Sequence, residues 1–469
     1  MVVSTASDRP LRVAVIGSGP AGVYAADLLS RSDAVAEGEV DVSIDIYDRY
    51  PAPFGLIRYG VAPDHPRIKG IVTSLHKIME SEKIRFFGNV EYGTDVQLED
   101  LRAHYDAVIF ATGAVYDASL HIPGIDLEGS YGAADFVAWY DGHPDVSREW
   151  PLEAREVAVL GNGNVALDVA RVLSKHAEDM LVTEIPNNVY EGLKKSPVTD
   201  VHIFGRRGPA QMKFTPLELR ELAKSRDVDI VLYDEDFEFD EASEAAIESN
   251  NQIKAMVKTL NKWREEQREN PGTASRRLHL HFMQSPAEVV GDADGRVAAI
   301  RMQRNELDGA GGIRPTTEIQ EYPVQAVYRA IGYFGSELPD VGFDARRGVI
   351  TNVEGRVVDE VENTVPGLYA TGWIKRGPVG LIGSTKSDAL ETITHVLEDR
   401  DFTAERPEVG QVEDLLHERG VEFTTWSGWR SLDEHEQSLG AELQDAQGNP
   451  RKRVKVVPRE DMVHISRKR

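Results

Sequence analysis

The chain of 469 residues contains no cysteine. That absence excludes disulfides, iron–sulfur clusters held by the chain itself, Cys-based zinc sites and redox-active thiol pairs. If this protein moves electrons, a bound organic cofactor must carry them. No apolar run reaches the roughly eighteen residues that a membrane-crossing helix needs. Basic residues are in deficit: 53 Lys and Arg face 78 Asp and Glu, for a net charge of −25. Such a surface disfavours nucleic acid and anionic membranes as main partners, and it repels acidic proteins except at a local basic patch. The first ten residues carry no apolar signal core, so the expected location is cytoplasmic. Nothing in the sequence points to a metal site. The hydrophobic content of 41% is ordinary for a globular protein, and the length calls for more than one domain.

What is present begins with Val13-Ala14-Val15-Ile16-Gly17-Ser18-Gly19-Pro20-Ala21-Gly22. An apolar run ends in glycines, and a helical segment from Val23 to Leu29 follows. In a strand–turn–helix of this kind Gly17 permits the turn, Gly19 lets backbone approach a pyrophosphate, and Gly22 lets helix and strand pack closely. The helix N-terminus then presents unpaired N–H groups and a positive dipole end to phosphate. Such a site wants an acid at the end of the next strand to hold a ribose hydroxyl, and Val42 to Asp48 supplies Asp48. The alternatives are a ligand-free glycine turn and an ordinary strand-end aspartate.

A second loop, Gly161-Asn162-Gly163-Asn164-Val165-Ala166, follows the run Val157 to Leu160 and repeats the pattern with alanine in the third small position. The strand after its helix, Asp200 to Phe204, ends in Gly205-Arg206-Arg207 rather than an acid. Asp48 would repel a 2′-phosphate, whereas Arg206 and Arg207 attract one, unless they form only a solvated turn. The first site is thus FAD-like and the second NADP-like. The strand Tyr105 to Phe110, ending in Ala111-Thr112-Gly113, recurs as Gly367 to Gly372, which suggests a domain whose chain leaves and returns.

Between and beyond the loops, Pro51 to Pro66 reads as a shaped loop able to wall a flat ring, followed by a helix from Arg67 to Glu80. Glu218 falls in the first turn of a helix, where capping would explain it. A helix from Ala245 to Glu269 carries an apolar stripe with Lys254, Lys258 and Lys262 in line beside it, either as a solvated face or as a docking patch for an acidic protein. Ser384 or Thr385 is placed to cap a helix from Lys386 to Glu398. Leu415 to Glu418 reads as helix and Trp426 to Trp429 as an aromatic turn, with Arg451 to Arg453 and Arg467 to Arg469 mobile.

Taken together, these motifs resemble the adrenodoxin-reductase-like ferredoxin–NADP⁺ reductases in their bacterial form. The resemblance rests on Gly17 to Gly22, Tyr59-Gly60-Val61-Ala62-Pro63-Asp64-His65-Pro66, Gly161 to Asp168, Gly205 to Pro209 and Trp373-Ile374-Lys375-Arg376-Gly377-Pro378, and it extends into Arg419 to Val421 and Trp426 to Trp429. It implies an α/β fold with two Rossmann-like dinucleotide-binding domains of the glutathione-reductase type. The FAD domain would be discontinuous, covering 1–114 and 331–469, around an NADP domain at 115–330. It implies hydride transfer between NADPH and FAD, and single-electron release to an acidic, ferredoxin-like iron–sulfur protein. Carried over by motif, Ala21, Asp48, Leu56, Val90, Trp373, Gly380, Leu381 and Ile382 contact FAD. Likewise Asn162, Gly163, Asn164, Val165, Arg206, Arg207, Glu218 and Gly380 contact NADP, His65 lies beside the flavin, and Glu218 lies near the nicotinamide. Lys254 and Lys258 stand where mitochondrial members use arginines to dock their partner. Lysine keeps the point charge but lacks the planar fork. Other readings are an electron-transfer subunit like the small subunit of glutamate synthase, which usually brings Cys-rich motifs, and a non-catalytic NADPH-sensing protein.

Overall fold

A mixed sheet and an all-parallel one carry the architecture of this computed structural model, which describes residues 9–380 and 382–468. The first sheet has seven strands, in the order Asn352–Val353, Arg356–Val358, Thr364–Ala370, Ala107–Phe110, Leu11–Ile16, Val42–Asp48, Ile84–Gly88. Its central strands Leu11–Ile16 and Ala107–Phe110 are buried along their whole length, Arg12 included, because helices cover both faces. The strand Thr364–Ala370 returns from far along the chain to pair in parallel with Ala107–Phe110, Leu368 opposite Val108. The two Ala-Thr-Gly units are therefore neighbours, and the first domain is discontinuous.

The second sheet has six strands, in the order Ser130–Gly132, Ala326–Arg329, Glu156–Leu160, Asp200–Phe204, Arg276–His281, Val228–Leu232. A three-stranded antiparallel meander, Gln284–Gly291, Val297–Leu307 and Ile313–Tyr322, covers one of its faces through Ala158, Leu160, Phe204, Ile300 and Met302. The chain leaves the first half and returns to it through one antiparallel ribbon, Tyr116–Asp117 against Tyr333–Phe334. No helix among the described residues is long and apolar enough to cross a membrane.

Several expected elements take a different form. The helix expected from Arg67 to Glu80 is two pieces, Pro66–Lys69 and Val72–Met79, interrupted around Gly70. The one expected from Ala245 to Glu269 is also two, Glu241–Ser249 and Asn251–Glu269. Asn250 breaks it at φ −123°, ψ 108°, and its side chain accepts from the N–H groups of Gln252 and Ile253, so an N-cap sits where continuity was expected. The third expected helix begins at Ile382, which places Ser384 and Thr385 inside its first turn and not at its cap. Trp426 to Trp429 is no aromatic turn but the start of the helix Trp426–Ala441, capped by Thr425.

The final segment is a clasp. Arg451, expected to be mobile, is buried and donates to the carbonyls of Leu181 (3.1 Å) and Ile185 (2.6 Å). Nζ of Lys455 donates to the Arg58 carbonyl (2.6 Å) and pairs with Glu184 (2.9 Å) beside Asp141 and Lys69. Glu436 forms a fork with Arg58, and both are buried. Each charge there has a partner, without which burial would be costly. Burial pushes the Lys455 amine down to about 8. The clasp joins residues of both halves.

Candidate functional site

In the first loop, two glycines are demanded by the backbone and one by what lies outside it. Gly17 has φ +114°, and a Cβ there would stand 2.4 Å from the Ala111 carbonyl oxygen. A Cβ on Gly22 would stand 2.0 Å from the Gly17 oxygen. A Cβ on Gly19 would meet nothing within 4 Å, so that position faces open space. The helix Pro20–Ser30 starts at this opening without a side-chain cap, which leaves its first N–H groups to serve an anion. Asp48 closes one side. Its carboxylate accepts from the Ser18 N–H (2.9 Å), the Ser18 hydroxyl and the Tyr50 N–H (2.9 Å), and burial raises its pKa.

Other elements converge on the same opening. The Phe54 N–H donates to the Ser18 carbonyl at 3.1 Å, and the Cβ that Gly55 lacks would lie 3.1 Å from Cα of Gly19. Leu56 follows, half-buried, in the short helix Leu56–Tyr59, and the buried Val90 donates its N–H to the Asp48 carbonyl (2.9 Å). From the opposite side, a Cβ on Gly372 would come within 2.5 Å of the Ala21 Cβ, which sets Trp373 beside the first helical turn. Asp388 fixes this approach by accepting from the Gly372 N–H and the Thr371 hydroxyl. Thr112 Oγ1 is buried beside the loop with no hydrogen-bond partner among the described residues. Gly380 lies beyond, at φ +87°. Leu381 falls outside the described residues, and only the backbone of Ile382 is described.

The second loop repeats the scaffold with opposite charge. Gly161 has φ +143°, and its Cβ would stand 2.1 Å from the Ala330 oxygen; Gly163 faces open space. Ala166 is fully buried, and the helix Asn164–Ser174 again starts uncapped. Arg206 and Arg207 are exposed past the end of Asp200–Phe204. Their backbone is pinned: the Gly205 N–H donates to His281 O (2.9 Å) and Asn305 Nδ2 donates to Arg206 O (2.9 Å). Asn162 packs against Gly205, and Asn164 Oδ1 accepts from the Thr215 N–H at 3.2 Å. Val165 is half-buried in the first helical turn. Thr215 leads into the helix Pro216–Leu222, where Glu218 is buried and its Oε2 has no hydrogen-bond partner among the described residues. Capping does not satisfy that oxygen, and leaving it unpaired is costly unless a ligand donor reaches it.

His65 joins the halves. Its Nε2 lies 2.7 Å from Asp168 Oδ1 and 2.9 Å from Arg171 Nη2, both on the helix that follows the second loop. Arg171 also forks onto Asp64 at 2.7 and 2.8 Å, with Lys175 on the same carboxylate. Burial alone would raise the pKa of Asp64, but Arg171 and Lys175 outweigh it and hold the carboxyl well below its usual range. Asp64, Asp168 and Arg171 were not singled out from sequence as site residues, although two of them lie inside the quoted motifs. Lys254 and Lys258 stand apart from both loops. They line, with Arg220, Lys224, Lys262 and Trp263, a groove of ≈ 930 Å³.

Two Rossmann cradles, an acid at one and arginines at the other, define a two-dinucleotide oxidoreductase. Comparison narrows the class. Residues 11–200 match the pyridine nucleotide-disulphide oxidoreductase family. NADPH-ferredoxin reductase FprA of Mycobacterium tuberculosis is 39% identical over 471 residues, covering 97% of this chain and 99% of that protein. The mitochondrial NADPH:adrenodoxin oxidoreductase of Bos taurus is 38% identical over 464 residues, covering 96% and 91%. The structure of M. tuberculosis FprA in complex with NADPH superposes with a TM-score of 0.88 at 38% identity, covering 98% of this chain and 100% of that one. The chain belongs to the family of the FprA-type NADPH-ferredoxin reductases and the adrenodoxin oxidoreductases.

Proposed function

We propose that this protein passes electrons between NADPH and a ferredoxin-type iron–sulfur protein by way of bound FAD. The observation that carries the reading is the pair of open cradles at Gly19 and Gly163, flanked by an acid in one case and by arginines in the other. Bound FAD supplies the exchange between hydride and single-electron chemistry, which no side chain of this cysteine-free chain offers. Residues 1–114 and 331–469 hold FAD. Gly17, Gly19, Ala21 and Gly22 cradle its pyrophosphate, Asp48 takes a ribose hydroxyl, and Leu56, Val90, Trp373, Gly380, Leu381 and Ile382 wall it. Residues 115–330 hold NADPH. Asn162, Gly163, Asn164 and Val165 meet its pyrophosphate, Arg206 and Arg207 its 2′-phosphate. The unpartnered Oε2 of Glu218 is available to a nicotinamide amide donor. His65, held by Asp168 and Arg171, positions the flavin side of the junction and can pass a proton there.

Anaerobic addition of NADPH to the purified protein should bleach its yellow colour, and an added ferredoxin should then carry electrons on to cytochrome c. A colourless protein, or one that NADPH does not bleach, contradicts the proposal. We assign the acceptor's dock to the groove containing Lys254 and Lys258. An acidic ferredoxin finds there a basic patch on an otherwise acidic surface. Lys254→Glu with Lys258→Glu should raise the KM for ferredoxin about tenfold and flatten its rise with salt, with flavin reduction by NADPH unchanged. We place the activity in the cytoplasm, where fractionation of cells should recover it.

A further inference from the structure

The turn Gly205-Arg206-Arg207 is gripped from behind by the start of the antiparallel meander, and each of its three carbonyls is taken. The Gln284 N–H donates to Gly205 O (3.0 Å), Nδ2 of Asn305 to Arg206 O (2.9 Å) and the Met283 N–H to Arg207 O (3.3 Å). The first and third donors are backbone groups, which any residue but proline supplies. The middle donor is a side chain, so it depends on the identity of residue 305. Asparagine is uncommon in strands, and its amide is costly to bury unless hydrogen-bonded. Asn305 is nonetheless 4% exposed, and its Nδ2 also donates to Ser285 Oγ at 2.9 Å, which uses both amide hydrogens. Its own N–H donates to Met283 O at 2.7 Å. The buried Met283 is thus clamped from two sides at φ +56°, in the left-handed region that residues with a Cβ rarely adopt. Its sulfur backs Gly208, where a Cβ would come within 3.5 Å. On the other side, a Cβ on Gly205 would stand 2.9 Å from Nδ2 of Asn162. The turn is therefore wedged between the second glycine loop and the meander, while Arg206 and Arg207 themselves are exposed. Asn305 was not marked from sequence, because 99 positions separate it from Arg206 and only the meander brings them together.

We infer that Asn305 is a positioning residue for recognition of the 2′-phosphate, acting through the backbone that carries Arg206 and Arg207. The inference rests on the reading of those two arginines as the ligands of that phosphate. Arg206 O belongs to the peptide that links them, so fixing it fixes the directions in which both side chains leave the backbone. A turn held in place before the nucleotide arrives has less freedom to lose on binding, and only the exposed side chains remain to be ordered. Without Nδ2 of Asn305, Arg206 O loses that donor and the linking peptide is free to rotate. The pyrophosphate is met on the same reading by Asn162 to Val165, so the contribution of Asn305 is selective for nucleotides that bear a 2′-phosphate.

The test measures binding of 2′,5′-ADP and of 5′-ADP to the FAD-loaded full chain by calorimetry. Asn305→Ala should weaken 2′,5′-ADP about tenfold and leave 5′-ADP within about twofold of the native affinity. The KM for NADPH should rise by a similar factor with kcat unchanged, and the kinetics with NADH should not move. In the background of Arg206→Ala with Arg207→Ala, Asn305→Ala should cost nothing further, because the groups through which it acts are gone. Should Asn305→Ala fail to fold, Asn305→Leu, close in shape and without a donor, gives the same reading. Equal weakening of both nucleotides, an unchanged affinity for 2′,5′-ADP, or a full further loss in the background without the arginines overturns the role of Asn305. The arginine pair alone checks the reading beneath it. If Arg206→Ala with Arg207→Ala keeps the native preference for 2′,5′-ADP, that assignment falls and the role of Asn305 falls with it.

Discussion

The two glycine loops use the same backbone device to opposite ends. Gly17 and Gly161 both adopt positive φ where a Cβ would strike a carbonyl, at 2.4 Å and 2.1 Å. Gly19 and Gly163 both face open space. The third position is where the scaffolds part: a Cβ on Gly22 would stand 2.0 Å from the Gly17 oxygen, whereas the second loop accommodates Ala166. The larger difference lies one strand away, where the buried Asp48 is replaced by the exposed Arg206 and Arg207. On the proposed function, pyrophosphate binding belongs to the turn and the choice between nucleotides to the next strand's end. Either can be altered without the other.

The largest expected effect comes from filling each cradle in turn. Gly19→Asp adds a negative charge where the pyrophosphate binds, with room for the side chain itself, and should yield a folded protein without flavin absorbance. Gly163→Asp should leave the yellow colour intact and lower kcat/KM for NADPH by at least a hundredfold, about 3 kcal/mol. If both variants lost FAD, the two loops would not be separate sites. A smaller effect is expected at the junction. His65→Gln removes a titratable ring but keeps a hydrogen-bonding group near Asp168, so stopped-flow reduction by NADPH should slow about tenfold with FAD retained. An unchanged rate would remove His65 from the reaction.

The last effect is on stability and not on catalysis, and it belongs to the ribbon between the halves. Asp117 accepts from the Ala134 N–H at 3.0 Å, and burial raises its pKa to about 7 from an ordinary 3.8. Between those values the folded chain holds a proton that the unfolded chain has lost, so this residue's contribution to stability falls as pH rises from about 4 to about 7. Asp117→Asn keeps an acceptor for Ala134 and should stabilise the protein at pH 8 by on the order of 2 kcal/mol, with little gain at pH 4. Thermal unfolding at both values checks this, and an equal gain at both would refute the assignment.

The cradles were legible in the sequence because each is local: an apolar run, glycines at fixed spacing and a helix lie within about a dozen residues. The discontinuous first domain was legible from the repeated Ala-Thr-Gly ends. What stayed hidden depends on contacts between distant segments. Arg171 reaches Asp64 across 107 positions, and Arg58 meets Glu436 across 378. Neither pair has a periodic signature. The C-terminal clasp was misread as mobile because its basic residues look solvated until carbonyls from the other half satisfy them. Asn250 and Thr425 are single capping residues: the first splits a helix that apolar spacing ran through, and the second starts a helix where the sequence read as an aromatic turn.

The central claim is that charge at the end of the second loop's neighbouring strand selects the nucleotide. Its most direct test is the ratio of kcat/KM for NADPH to that for NADH in the native chain and in Arg206→Ala with Arg207→Ala. The account predicts that the ratio falls at least a hundredfold in the variant, mainly through KM for NADPH, while FAD content stays the same. A ratio that survives the double substitution would contradict it.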